Sequence, residues 1–308
     1  MKKILPKLCL ALASIFIYLA VFVAFEPNNY FGLRKNGSDN SPISRIRAYE
    51  NAPKSAIILG DSRMAHFDMA LVNETAGREY ANVSYGGASL EESIDEFYYL
   101  YKKFPQIDKA VFGVSFYTLN LNYRTANRMA TLETQLENPA AYVFNLEYNI
   151  NTLTVISDKL RGLPDIEETA EHTSDEYVDA NGNKLQFRQG LLDYAGTLQS
   201  VCAGYAINEA ALEKLLEMAD FCRENGVDLT IVLPPMDESV RVLVCEPNGI
   251  DTAMQPALAA IKASGAQVLD YEWQHAPSYP DTAYYDGFHL DTRHGLPDFT
   301  KTLFSEVK

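Results

Sequence analysis

The sequence predicts an α/β domain built on a parallel sheet, set behind an N-terminal membrane anchor, and three observations predict it. Short apolar runs at Ala56–Leu59, Tyr80–Ser84, Ala110–Val114, Leu229–Leu233 and Gln267–Asp270 alternate with helical patterns, as parallel strands covered on both faces do. The helical pattern Asn208–Asn225 runs through Gly226 directly into Val227–Leu233, a helix-to-strand unit of a doubly wound sheet. A long apolar stretch at the start of the chain predicts the anchor.

Lys2, Lys3 and Lys7 precede an apolar run from Leu8 to Phe25, interrupted only by the hydroxyls of Ser14 and Tyr18. As a helix this run spans about 27 Å, close to the hydrocarbon thickness of a bilayer. A cleaved signal peptide would need small residues just before its cleavage point, and Ala20-Val21-Phe22-Val23-Ala24-Phe25 puts a bulky residue wherever a small one is required. Residues 1–25 therefore read as an uncleaved, single-pass transmembrane helix. Its lysines place the N-terminus in the cytoplasm and everything after Phe25 outside the plasma membrane. Cys9, directly after Lys7-Leu8, stands too early for a lipoprotein cysteine.

Residues 26–51 are rich in turn formers, among them Pro27, Asn28, Asn29, Gly32, Gly37 and Pro42, and read as a linker or stalk. Residues 52–308 suffice for one core-forming extracytoplasmic domain. Within it Ser89 opens a capping box with Glu92, and Ile94, Phe97, Tyr98 and Tyr101 follow at helical spacing. Asn208 caps the helix that carries Leu212, Leu215, Leu216, Ala219 and Cys222 on one face. Between Tyr117 and Val201 the pattern loosens into an insertion, with Asn181-Gly182 marking a hairpin inside Glu176–Phe187. An insertion of this size in a sheet protein predicts a lid or a docking surface.

A formal charge of −15 argues against nucleic acid as a partner and against general adhesion to anionic lipid. Cys202, Cys222 and Cys245 allow at most one disulfide, and none has metal-ligand spacing to a histidine, so neither a metal nor a cofactor is expected.

The chemistry-bearing residues cluster in short blocks. Gly60-Asp61-Ser62 closes the first strand, and Asp286-Gly287-Phe288-His289 sets a carboxylate three residues before a histidine. A serine hydroxyl needs a base to take its proton, and the base needs an acceptor on its other nitrogen; Ser62, His289 and Asp286 fit those roles. The carboxyl end of a strand is also where α/β sheets present ligands. Ser62 has a plainer reading as a helix N-cap, and Asp61, pointing away from its neighbour, reads as a brace for the turn. Asp291-Thr292-Arg293-His294 repeats the Asp-x-x-His spacing, which leaves two candidate histidines. Arg63, His66, Tyr284 and Tyr285 stand near enough in sequence to contact substrate; Arg63 also reads as one side of a salt bridge with an acidic residue, His66 as a rim contact, and the tyrosines as packing. Tyr98, Tyr99 and Tyr101 read better as packing than as a sugar-stacking surface.

These blocks resemble those of the SGNH/GDSL hydrolase family, whose first block is Gly-Asp-Ser at a strand exit and whose last is Asp-x-x-His near the C-terminus. The resemblance runs from about Lys54 onward and implies an SGNH-like, flavodoxin-like three-layer fold. It implies Ser62 as nucleophile, Asp286 and His289 as the remaining triad members, and His289 over His294, because Leu290 and Gly295 continue the family's pattern. Asn82-Val83-Ser84-Tyr85-Gly86-Gly87-Ala88-Ser89 matches the second block, which implies that Gly87, with the backbone of Ser62, donates to the oxyanion. The third block, Gly-x-Asn-Asp, is altered: Gly113-Val114-Ser115-Phe116 puts Ser115 where the family has its oxyanion-hole asparagine, so that Ser115 either donates to the oxyanion in its place or simply ends its strand. Losing one such donor costs on the order of a hundredfold in rate. This chain is similar in that respect to membrane-anchored DltD-like and AlgJ-like envelope proteins. That similarity implies an esterase or O-acyltransferase acting on an acyl-bearing envelope polymer or carrier, beside a membrane-bound O-acyltransferase. A carbohydrate acetylesterase and a non-catalytic carrier-binding or assembly protein are the competing readings.

Overall fold

The computed structural model describes residues 4–33, 41–123, 125–162, 199, 201–274 and 277–308, with side chains in the first helix from Leu12 onward. In chain order its principal elements are α1 (Ile4–Phe25), α2 (Pro42–Asn51), β1 (Ala56–Leu59), α3 (Met69–Ala76), β2 (Tyr80–Asn82), α4 (Leu90–Lys103) and β3 (Lys109–Gly113). There follow α5 (Met129–Glu137), α6 (Pro139–Val143), α7 (Leu146–Leu160), α8 (Glu209–Glu224), β4 (Asp228–Leu233), α9 (Ile250–Ala263), β5 (Gln267–Asp270) and α10 (Leu296–Glu306). They divide into two compact units, Met1–Asn51 with Ala130–Glu168, and Ala52–Met129 with Thr169–Lys308.

The larger unit holds a five-stranded sheet in the order β2-β1-β3-β4-β5, every neighbouring pair parallel. This is the order of flavodoxin-like doubly wound sheets, whose switch point lies between β1 and β3. The strands form where the apolar runs predict, because a run buried on both faces has no polar side to show. Ala56, Ile58, Val111 and Val232 join Val72 of α3 and Phe299, Leu303 and Phe304 of α10 in one core. Successive strand side chains alternate faces, so Ile57, Phe112 and Ile231 turn to the opposite side, where α4 and α8 pack together. The predicted caps form: Ser89 Oγ accepts from Glu92 N at 3.1 Å, and Asn208 accepts from Ala211 N at 3.2 Å. Cys202, Cys222 and Cys245 are free and buried, so no disulfide joins them.

The smaller unit corrects two expectations. Residues 26–51 are not a stalk: Glu26, Asn28 and Tyr30 are buried, and α2 buries Ile43, Ile46 and Tyr49. The Tyr30 ring stacks on Tyr142 with centroids 4.0 Å apart, the Tyr142 hydroxyl donates to Glu26 Oε2 at 2.6 Å, and Tyr30 donates to the Gln135 carbonyl at 2.8 Å. Part of the expected insertion, α5 to α7, therefore packs with the N-terminal segment, while the hairpin expected at Glu176–Phe187 lies outside the described residues. Among the described residues no helix is long and apolar enough to cross a membrane. Side chains of α1 are described only over Leu12–Phe25, shorter than the roughly 20 residues a span needs.

Candidate active site

The site is assembled at the carboxyl ends of the strands, beside the switch point. Gly60 ends β1 with φ +137°, and a Cβ there would meet Met64 Cγ at 2.9 Å and Gly113 Cα at 3.2 Å. Glycine at both 60 and 113 thus lets the exits of β1 and β3 close on each other over Met64. Residues 62–66 follow as tight turns, not as a helix. Ser62 is no helix cap; that role falls to Asp68, whose carboxylate accepts from Ala70 N and Leu71 N to open α3.

Across the turn, Ser62 Oγ lies 2.7 Å from His289 Nε2, and His289 Nδ1 lies 2.7 Å from Asp286 Oδ2. Asp286 is buried, and its other oxygen accepts from the backbone N–H groups of Phe288 (3.0 Å) and His289 (2.8 Å). One carboxylate therefore shapes the loop and orients the ring it carries. Burial pushes the Asp286 carboxyl up, but His289 and these N–H donors outweigh it and leave it below its ordinary value. An ionised Asp286 can only accept, so Nδ1 carries the proton and Nε2 is left to accept from Ser62.

The second Asp-x-x-His does different work. Asp291 is buried and accepts from Arg293 N and His294 N at 2.7 and 3.0 Å, closing the turn before α10, while His294 itself is exposed. Asp61 braces its turn as its position predicts, accepting from Arg63 N at 3.0 Å and from the Tyr117 hydroxyl at 2.6 Å. Gly86 is the second-block glycine nearest the nucleophile: a Cβ on it would sit 4.0 Å from Ser62 Cβ. Gly87 follows in a left-handed conformation at φ +71°, ahead of the Ser89 cap instead of within the first turn of α4.

Two of the expected substrate contacts, Arg63 and Tyr284, are buried, as is Ser115, the candidate oxyanion donor. Arg63 is buried and donates from Nε to the Phe288 carbonyl (3.2 Å), from Nη1 to Ser115 Oγ (3.2 Å) and Glu272, and from Nη2 to the Pro234 and Pro235 carbonyls (2.6 and 2.9 Å). It ties the nucleophile turn to the histidine loop and does not face substrate. Ser115 is 1% exposed, and its Oγ accepts from Arg63. Tyr284 is buried in the core with Phe299 and Leu303. Tyr285 is half-buried and donates its backbone N–H to the His289 carbonyl at 2.8 Å. His66 lines a cavity with Phe67, Thr292, Arg293 and Thr300.

Glu272 and Tyr117 are the residues that sequence reasoning missed. Both follow the carboxyl end of a strand, β5 and β3, which is the signal that could have found them. Burial pushes the Glu272 carboxyl up to about 7, against the pull of Arg63, and among the described residues its Oε2 has no hydrogen-bond partner. Burial lowers the Arg63 guanidinium, but Glu272 reverses this, and Arg63 remains charged. Among the described residues no group of His, Cys, Asp and Glu could hold a metal ion.

No family model and no curated protein matches the sequence. Among solved structures the chain is similar to a lipase/acylhydrolase from Enterococcus faecalis, with a TM-score of 0.41 and 15% identity over 82% of this chain and 94% of that one. It is similar to a protein described as lipolytic, of the G-D-S-L family, from Desulfitobacterium hafniense DCB-2, with a TM-score of 0.39 and 10% identity over 81% and 99%. A protein assigned as an acylhydrolase from Bacteroides fragilis NCTC 9343 gives 0.36 and 8% over 82% and 86%. Likeness at this level says nothing about which substrate the chain acts on.

Proposed function

We propose that this chain is an SGNH-type serine esterase or O-acyltransferase, anchored in the plasma membrane with its catalytic unit outside. The observation that carries the reading is the relay Ser62–His289–Asp286, with both links at 2.7 Å. His289 Nε2 takes the proton of Ser62 as Oγ bonds to the acyl carbon of an ester, and Asp286 stabilises the imidazolium. The backbone N–H groups of Ser62 and of the Gly86-Gly87 turn receive the oxyanion. Collapse breaks the bond to the leaving alcohol, which takes its proton from His289. The acyl group on Ser62 then passes by the reverse steps to water or to a sugar hydroxyl.

Burial of Ser115 is read as the loss of a third-block side-chain donor, which slows turnover to water and to a sugar hydroxyl alike by about a hundredfold. Support for the anchor comes from α1, which is exposed and almost wholly apolar from Leu12 to Ile17, a surface that water does not favour. An acyl-bearing envelope polymer or carrier is then the substrate, with a membrane-bound O-acyltransferase as the supplier. The test follows both products when the full-length protein in detergent meets a soluble acetyl ester and an oligosaccharide acceptor. Acylated sugar that disappears in Ser62→Ala supports this function. Fast hydrolysis without transfer makes the chain a carbohydrate acetylesterase, and no turnover makes it an assembly protein.

A further inference from the structure

Among the described residues, the smaller unit carries an apolar surface that has no partner and that catalysis does not use. On α7, Leu146, Ile150, Leu153 and Leu160 recur at steps of four, three and seven, one stripe of a helix, and Phe144 continues it just before the first turn. All are exposed, Phe144 to 67%, Leu146 to 75% and Leu160 to 85%. Glu147, Asn151, Thr154 and Asp158 lie about 100° round the helix, so the apolar side chains face one way and the polar ones another.

The position of α7 against α1 says what covers the stripe. The Tyr18 hydroxyl donates at 2.9 Å to the Val143 carbonyl and lies 2.9 Å from Asn149 Oδ1, and its ring stacks on Phe144 with centroids 6.0 Å apart. At the far end, Lys159 Nζ lies 5.7 Å from the centre of the Phe25 ring. The two helices therefore run side by side in the same direction. The start of α7 sits beside Tyr18, about 10 Å along α1 before its apolar run ends at Phe25. A bilayer that holds α1 up to Phe25 consequently reaches Phe144 and Leu146. Lys159, whose ammonium lies beside the Phe25 ring, is then at headgroup level.

We propose that α7 is a second membrane contact, its apolar stripe lying in the acyl chains of the outer leaflet beside α1. The proposal rests on the anchor reading above. It makes α1 and α7 one lipid-facing surface, so that the smaller unit lies against the membrane and is not carried on a free stalk.

The test uses the full-length protein in nanodiscs made with brominated phosphatidylcholine, whose bromine atoms quench nearby tryptophan. In a Trp273→Phe background, single tryptophans are introduced as Ile17→Trp on α1 and Leu146→Trp on α7. Both positions are exposed, and circular dichroism checks that each variant keeps its helices. The expected result is that both lose more than half of their emission relative to unbrominated discs. Quenching of Ile17→Trp alone leaves the anchor standing and overturns the proposal, assigning the stripe to a protein partner. Quenching of neither overturns the anchor, and this inference with it.

Discussion

Replacing Arg63 by Met keeps the bulk of the stem and removes five hydrogen bonds at once: to Glu272, Ser115, Phe288, Pro234 and Pro235. The side chains of Arg63 and Glu272 are 1% and 0% exposed, so water cannot replace the lost partner. Removing one member of such a pair costs about 3–5 kcal/mol, a large share of a typical domain's total of about 5–15. The cost depends on pH because Glu272 can escape by protonation. Its folded value of about 7 already exceeds the ordinary 4.5, so its contribution is fully present below 4.5 and is lost as pH rises through the folded value. Without Arg63 that value rises further, each unit being worth about 1.4 kcal/mol. The full cost is therefore expected at pH 8, and roughly 1–3 kcal/mol, the cost of the orphaned carbonyls, at pH 5. Urea unfolding of the full-length protein in detergent can be followed through Trp273, the sole tryptophan, which adjoins Glu272 and lies 6.2 Å from Phe116 in the catalytic unit. Adding Glu272→Gln should remove most of the pH dependence. A loss below about 1 kcal/mol at pH 8, or one that does not change with pH, would refute this account of the pair.

Gly295→Ala places a Cβ 2.0 Å from the Ala283 carbonyl oxygen, so the backbone must shift; unfolding should show a loss above about 2 kcal/mol, and labelling of Ser62 should slow because the loop between these residues carries His289. Asp286→Asn removes the acceptor that fixes the His289 tautomer, and reaction of Ser62 with an acylating probe at pH 7 should fall by on the order of 10⁴-fold. The stability that the lowered Asp286 carboxyl contributes is present above its ordinary value of about 3.9 and is lost as pH falls through the lower folded value. The unfolding gap between wild type and Asp286→Asn should thus be flat above about pH 5 and close in stronger acid. His294→Ala should leave both the labelling rate and stability within about 0.5 kcal/mol of wild type, because the exposed ring is not the group that meets Ser62.

The parallel sheet was legible because strands buried on both faces write themselves as short apolar runs, and Gln267–Asp270 falls at its predicted bounds. Ser62, Asp286 and His289 were legible because their chemistry demands those residue types at the ends of such runs. A salt bridge was one of the two readings of Arg63, but its partner could not be named because Glu272 is 209 residues away. The alternative reading of Ser62 as a helix cap fails because the chain needs the turn of residues 62–66 before Asp68 can begin α3. Residues 26–51 looked like a stalk because turn formers outnumber apolar residues there. The period Ile43, Ile46, Tyr49 and the ring of Tyr30 were the signals of a packed unit, and both are short. Ser115 could be placed by its block, but only the fold shows that Arg63 holds its hydroxyl.

The central claim is that His289, held by Asp286, makes Ser62 a nucleophile. Labelling of the full-length protein with a fluorophosphonate probe tests it most directly, beside Ser62→Ala, His289→Ala and His294→Ala. The account predicts that wild type and His294→Ala are labelled at one site, that Ser62→Ala is not labelled, and that His289→Ala is labelled only slowly. Folded wild-type protein that stays unlabelled, or labelling that survives His289→Ala but is lost in His294→Ala, would contradict it.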